Sequence, residues 1–393
     1  LSSIFYVITI VYMHEDVILF SLAYFYLLAN FVDISWLYQG LENFKSTVLR
    51  NSIVKIVSVV LVFILVKDQD DIWVYVLILA FTTFMGQLFM WFNVPKLICK
   101  VDFRSLHIRR HVKATIILFL PSVATYVYTS LDKVMLGAMT NSDEVGFYSQ
   151  SEKIIKLAMT IVTSLGVVMI PRMTTLIKEQ KWEMIKIYLD KTFRFVFFLS
   201  MPMIAGMVAI SDIFIPWFLG EGYESSILLF QILSPLILII GIASVTGQAV
   251  LVSLNKQSYY TITVVCGAIV NCILNLFLIP KYASIGASFA TLVAEGIVTT
   301  LQLLGVSEYF NHRAFIFNWL KYTVCAALMF IVVRLIDKIL LFQSSFLKLG
   351  IDIIVGFAFY LFILAVSHDS LLLEMIRKMI SFMTRRFDRS AIK

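Results

Sequence analysis

Charge is scarce in this 393-residue chain. Asp, Glu, Lys and Arg make up 15% of it, against about 25% in an ordinary soluble domain. A cytosolic enzyme, a secreted scaffold and a disordered chain are excluded on that ground. Cysteine is scarce as well. Cys99, Cys266, Cys272 and Cys325 show no C-x-x-C spacing, so neither a zinc site nor a disulfide frame is signalled, and all four read as small apolar core residues. There is no Gly-rich phosphate loop, no H-E-x-x-H and no G-x-S-x-G. His107 and His111 are one turn apart but sit in a basic loop without a carboxylate partner, so no metal site is expected, and no cofactor either. A basic, cleavable signal peptide is missing from the first residues.

What is abundant is hydrocarbon: 60% of residues are apolar. A bilayer core of about 30 Å takes about 20 apolar residues in a helix. Twelve such runs are legible: 1–13, 17–38, 46–66, 72–92, 114–138, 145–170, 190–211, 226–253, 258–279, 283–307, 315–336 and 345–366. The first is short. The alternating pattern of an outer-membrane barrel is absent, so the fold class is an all-α polytopic membrane protein.

The formal charge of +7 could point to nucleic acid, but its distribution does not. Lys and Arg gather in alternate connections: Lys45 and Arg50, then 96–113, then 172–194, then Lys256, then Arg313 and Lys321, then the tail from Arg377. The opposite connections hold few basic residues and several acidic ones, Asp68, Asp70, Asp71, Asp143 and Glu144 among them. By the positive-inside rule the basic loops and the C-terminus face the cytoplasm. Two basic stretches, 172–194 and 371–387, are also amphipathic and fit helices lying at the lipid surface.

Charges inside spans are costly and tend to mark a functional interior. Pro121, Thr125, Tyr128 and Asp132 share one face of the fifth span, and the sixth carries Glu152, Lys153 and Lys156. Counted from the outer ends of their spans, Asp132 and Lys153 both lie about 12 Å deep, which predicts a pair, with Lys156 about 16 Å down. Glu295 lies about 18 Å into its span, beside the small-residue face Gly286, Ala290, Ala294. Asp33 and Lys55 fall at similar depth and are expected to form a structural ion pair. Asn271 and Asn275 fit interhelical hydrogen bonding.

Two stretches carry a family resemblance. Trp36-Leu37-Tyr38-Gln39-Gly40-Leu41-Glu42, followed by Phe44-Lys45, Arg50-Asn51 and Lys55, resembles a turn found in bacterial polysaccharide flippases of the Wzx type. The second runs from Pro121 through Leu131-Asp132-Lys133 and Met135-Leu136-Gly137 to Val145-Gly146, Tyr148, Lys153-Ile154 and Ile170-Pro171-Arg172. It resembles the start of the second lobe in that family, and Gly286-Ala287-Ser288 with Ala290-Thr291 and Glu295 resembles its last helix. Such proteins belong to the multidrug/oligosaccharidyl-lipid/polysaccharide exporter superfamily.

The resemblance implies two pseudo-symmetric six-helix lobes rocking around a cavity, with two extra C-terminal helices, fourteen in all. Expected regions are 1–100 (the rest of lobe one, four helices), 101–112 (a basic inter-lobe loop), 113–307 (lobe two), 308–366 (the extra pair) and 367–393 (a basic cytoplasmic tail). Two helices of lobe one would then precede Leu1. The implied cargo is an undecaprenyl-diphosphate-linked oligosaccharide, flipped from the cytoplasmic to the outer leaflet of a bacterial inner membrane. Its partners would be the bilayer, H⁺ or Na⁺ and the polysaccharide polymerase machinery, with no nucleic acid. Lys133, Lys153 and Lys156 become candidates for the head group, and Asp132, Glu152 and Glu295 for cavity or coupling carboxylates. A lipid II flippase and a drug/cation antiporter share the architecture. A membrane glycan polymerase would need a catalytic outer loop, and none is seen.

Overall fold

The computed structural model describes residues 17–41, 44–92, 94, 130–339 and 345–377. All of its regular structure is helical, and the described residues contain no strands. The chain divides into two compact units, residues 1–113 and 114–393.

In the first unit, α1 (Val17–Phe31), the short α2 (Ser35–Gly40), α3 (Phe44–Leu65) and α4 (Ile72–Trp91) follow one another. Asp33 starts α2 by accepting the Ser35 N–H at 2.7 Å. Indole and phenol donors join the ends: Trp91 Nε1 donates to the Val32 carbonyl at 2.8 Å and Tyr38 Oη to that of Met90 at 2.7 Å. Between α3 and α4, the Ser58 and Thr82 hydroxyls meet at 2.7 Å. Gly86 permits this approach, since a Cβ there would lie 2.4 Å from Val54 Cγ2.

The second unit begins with α5 (residues 130–139) and α6 (Ser142–Lys178), separated by Asn141, whose side chain caps α6 by accepting from the Glu144 N–H at 3.0 Å. Next come α7 (Trp182–Leu219) and α8 (Ser225–Leu251), whose last eight residues, Ser244–Leu251, are wound as a π-helix. A continuous 49-residue helical stretch, Gln257–Gly305, is in fact two helices, α9 (257–282) and α10 (284–305). They meet at Ala283, which is held at φ 46, ψ −128. The hairpin is tight: a Cβ on Gly286 would lie 2.5 Å from the Leu278 carbonyl oxygen. Glu144 of α6 accepts the Ser284 N–H at 3.1 Å and so caps α10. Two further helices, α11 (His312–Ile339) and α12 (Ser345–Val366), pack on α7 and lead into α13 (residues 370–377).

Among the described residues, nine helices are long and apolar enough to cross a membrane. Splitting the one at Ala283 adds a tenth crossing. Of the other two expected spans, 1–13 lies outside the described residues and 114–138 is described only from residue 130. Large side chains on the outside, such as Phe277 (68% exposed) and Ile354 (69%), are what a lipid-facing surface requires. The interior of the second unit is aromatic, with Phe315 of α11 packed edge-on to Phe193 and Phe197 of α7 at 5.1 and 5.0 Å.

One expectation is corrected here. Residues 172–194 do not form a separate surface helix; they are the ends of α6 and α7, joined at a turn where Gln180 takes φ 53. The cause is packing: Met173 and Leu176 on one arm and Ile185 and Leu189 on the other are all buried in the same core. The other amphipathic stretch, 371–387, is described to residue 377. There α13 turns Leu371 and Leu372 onto that core while Leu373 and Met375 stay exposed.

A buried carboxylate and a lysine-clamped glutamate

Two neighbouring residues of α5 face in different directions. Asp132 points inward and is 6% exposed. Its Oδ1 accepts from Asn275 Nδ2 of α9 at 2.6 Å; its Oδ2 accepts from Thr291 Oγ1 of α10 at 2.8 Å and Tyr148 Oη of α6 at 3.0 Å. Asn275 also donates to Asn271 Oδ1 at 3.1 Å, and its own Oδ1 is buried without a hydrogen-bond partner. Three helices thus converge, through neutral donors, on an acid carried by a fourth. The carboxylate with the Tyr148 and Thr291 hydroxyls beside it supplies hard oxygens of the kind that hold a proton or a small hard cation.

Lys133 turns the other way. Its ammonium pairs with Glu152 Oε2 at 2.8 Å, and Lys156 pairs with Glu152 Oε1 at 2.6 Å from one helical turn away. The Glu152 side chain is 11% exposed, whereas those of Lys133 and Lys156 are 36% and 48% exposed. One carboxylate therefore holds two ammonium groups, leaving a local surplus of one positive charge.

These contacts change the expected pairing. Asp132 and Lys153 do not form an ion pair. Lys153 follows Glu152 by one residue, about 100° around the helix, so it cannot share that face; it is exposed. Asp33 and Lys55 do not pair either. Lys55 is exposed on α3, and Asp33 is committed to the start of α2. The cation that approaches α2 is Arg50, whose Nη2 donates to Ser35 Oγ at 2.8 Å. Glu295 is half-buried on α10, one turn beyond Thr291. Pro121, Thr125 and Tyr128 lie outside the described residues.

Tyr148 and Thr291 were not singled out as carboxylate partners in the sequence. The four-residue spacing of Asn271 and Asn275 was the available signal, but it does not reveal which acid they meet. A further cluster escaped sequence reasoning entirely. Asp369, just past α12, is fully buried and accepts from Lys321 Nζ of α11 at 2.7 Å, from Arg194 Nη2 of α7 at 2.8 Å and from Tyr322 Oη at 3.1 Å. Its other oxygen caps α13 through the Leu371 and Leu372 N–H groups at 3.0 and 3.1 Å. Burial alone would raise this carboxyl; the Lys321 and Arg194 donors outweigh it and hold the pKa down at about 2.

Similarity to known proteins agrees with this architecture. The family described as "Polysaccharide biosynthesis protein" matches residues 2–177. The chain is 26% identical over 292 residues to a "Putative O-antigen transporter" of Shigella dysenteriae, covering 73% of this chain and 72% of that protein. A second protein of that name, from Escherichia coli strain K12, is 22% identical over 288 residues, covering 71% and 68%. The fold is matched by the solved structure of the lipid II flippase MurJ in its inward closed conformation. That likeness has a TM-score of 0.70 and 19% identity, over 91% of this chain and 74% of that one. In sequence the chain is thus similar to proteins named as O-antigen transporters, and its fold is matched by a lipid II flippase. The long apolar helices among the described residues make it a multi-pass membrane protein. These relatives are named as transporters or flippases rather than enzymes.

Proposed function

We propose that this protein flips a lipid-linked oligosaccharide, carried on undecaprenyl diphosphate, from the cytoplasmic to the outer leaflet by alternating access. Lys133, Lys156 and the exposed Lys153 would contribute cations to the path of the head group. The observation that carries the reading is the clamp in which Glu152 holds two partly exposed lysines. A diphosphate–sugar head must cross a low-dielectric region, where an unpaired anion is costly. With cargo absent, Glu152 neutralises the lysines in part; an arriving diphosphate competes for the same ammonium groups through charge-assisted hydrogen bonds.

Asp132 is assigned the coupling role. Its inward carboxylate, ringed by Asn275, Thr291 and Tyr148, would take up H⁺ or Na⁺ in one state of the cycle and release it in the other. Glu295 is a second, half-buried carboxylate on the same helix as Thr291. The polymer-forming machinery of the outer face would receive the product. Lipid II is the second reading, since a Bacillus subtilis protein named as a lipid II flippase is 25% identical over 205 residues, 50% of this chain and 37% of that protein.

Replacing Lys156 with Ala or Glu tests the reading. Surface polymer and flipping in reconstituted vesicles are expected to fall at least tenfold, with unchanged amounts of folded protein in the membrane. Full complementation by Lys156→Glu would remove Lys156 from the head-group site. Supplying a repeat-unit lipid and lipid II separately in vesicles distinguishes the two cargoes.

A further inference from the structure

The helices after α10 hold an acid that the flipping cycle above does not use. A cavity of about 300 Å³ lies between α7 and α12, with α11 behind it, at the lower end of the ligand-pocket range of about 300–1,000 Å³. Its wall is apolar: Phe198 and Met203 of α7, Met329 of α11, and Phe357 and Tyr360 of α12 contribute to it. Gly206 and Gly356 also line it and add no side chain. The charged residue in the wall is Asp352, which is 3% exposed and whose Oδ2 has no hydrogen-bond partner.

The surrounding charges do not neutralise it. Lys348, one turn earlier on α12, is taken by Asp337 of α11. Arg334 of α11 is taken by Asp212 of α7 at 2.7 Å, and α7 brings no charged residue to the cavity wall. Two carboxylates, Asp337 and Asp352, thus share one ammonium, and the deficit falls on the carboxylate facing the cavity. Counted along α12 from Ser345, Asp352 is about 10 Å in, within reach of an amphiphile dissolved in the bilayer. Ile353 and Phe357 beside it are each 56% exposed and mark an opening on the outside of the bundle.

We propose that this cavity binds a lipophilic cation, an amphiphilic amine whose ammonium pairs with Asp352 and whose hydrocarbon lies along Phe198, Met203 and Met329. The chemistry follows from the wall. A buried carboxylate without a donor is costly in an apolar site, and an ammonium supplies both donor and charge. Phe198, Phe357 and Tyr360 extend the apolar wall along which the hydrocarbon lies, and the methionines adapt to the chain. An alcohol of the same length would satisfy the oxygen but not the charge, and a fatty acid would oppose it. This site is separate from the Lys133–Glu152–Lys156 clamp and does not depend on the transport reading.

The test uses the full chain in lipid nanodiscs, with empty nanodiscs subtracted, and three probes: decylammonium, 1-decanol and decanoate. Calorimetric titration of the wild type is expected to give decylammonium at least a tenfold tighter Kd than decanol, with no saturable decanoate binding. Asp352→Asn is expected to bring decylammonium within about twofold of decanol. Gly206→Phe, which fills the cavity from α7, is expected to abolish saturable binding of both. Equal affinity for decylammonium and decanol in the wild type would overturn the proposal, as would cation preference surviving in Asp352→Asn. If Asp352→Asn does not fold, the wild-type comparison and Gly206→Phe decide; decylammonium binding retained with the cavity filled places the cation elsewhere and refutes the site.

Discussion

Asp132 offers the sharpest separation of structure from function, because two substitutions act on its network in different ways. In Asp132→Ala, three donors lose their acceptor. Tyr148 Oη and Thr291 Oγ1 are 3.1 Å apart and can pair with each other. The Thr291 hydroxyl also lies 2.9 Å from the Ala287 carbonyl, and Asn275 keeps Asn271 at 3.1 Å. Most of the loss is therefore recovered locally. What remains is roughly one buried donor without a partner and a small void, about 1–3 kcal/mol. Asp132→Asn changes less. Its carbonyl oxygen still accepts from Asn275, its amide faces two hydroxyls that can turn to accept, and the stability change should stay below about 1 kcal/mol. The charge is nevertheless gone. Asp132→Asn is thus expected to melt within a few degrees of wild type in detergent. In vesicles under imposed Na⁺ or proton gradients its flipping should fall at least tenfold and lose gradient dependence. An Asn variant that flips with the wild-type dependence on the gradient would refute the coupling role; one that fails to fold would refute the energetic argument.

Two further outcomes concern stability. Asp369→Ala strands Arg194 and Lys321 beside a buried gap; breaking a buried pair costs about 3–5 kcal/mol, and the lower end applies because those side chains remain 23% and 18% exposed. The Asp369 carboxyl is held at about 2, below its ordinary 3.8, so its contribution is complete above pH 3.8 and is lost as pH falls through 2. Melting curves of wild type and Asp369→Asn should therefore converge between about pH 4 and pH 2; a constant gap would exclude the ionised pair as its source. Gly286→Val drives a Cβ toward a backbone carbonyl 2.5 Å away, which should destabilise the α9–α10 hairpin by about 1–3 kcal/mol or more, read as reduced yield and a lower Tm. A Val variant as stable as wild type would show that the hairpin can open without cost.

Membrane residence and the positions of the spans are legible along the chain because bilayer thickness acts on local sequence. A run of about 20 apolar residues is sufficient evidence for a crossing, whatever its neighbours. The break between α9 and α10 is likewise visible around Pro280 and Ala283. Pairing is different, because it depends on the rotation of each helix about its axis and on which helices become neighbours. Depth alone placed Asp132 with Lys153 and Asp33 with Lys55; a rotation of about 100° per residue sends adjacent side chains to separate partners. Asp132 and Lys133 are consecutive, yet one enters a four-helix hydrogen-bond network and the other reaches Glu152. Asp369 meets Arg194 across 175 residues of sequence, and Asp352 acquires its significance only from the cavity that α7, α11 and α12 leave beside it. Sequence by itself determined that this chain crosses the membrane many times and carries charge inside it. Only the tertiary structure decided which charges are satisfied, because satisfaction is a property of three-dimensional neighbours.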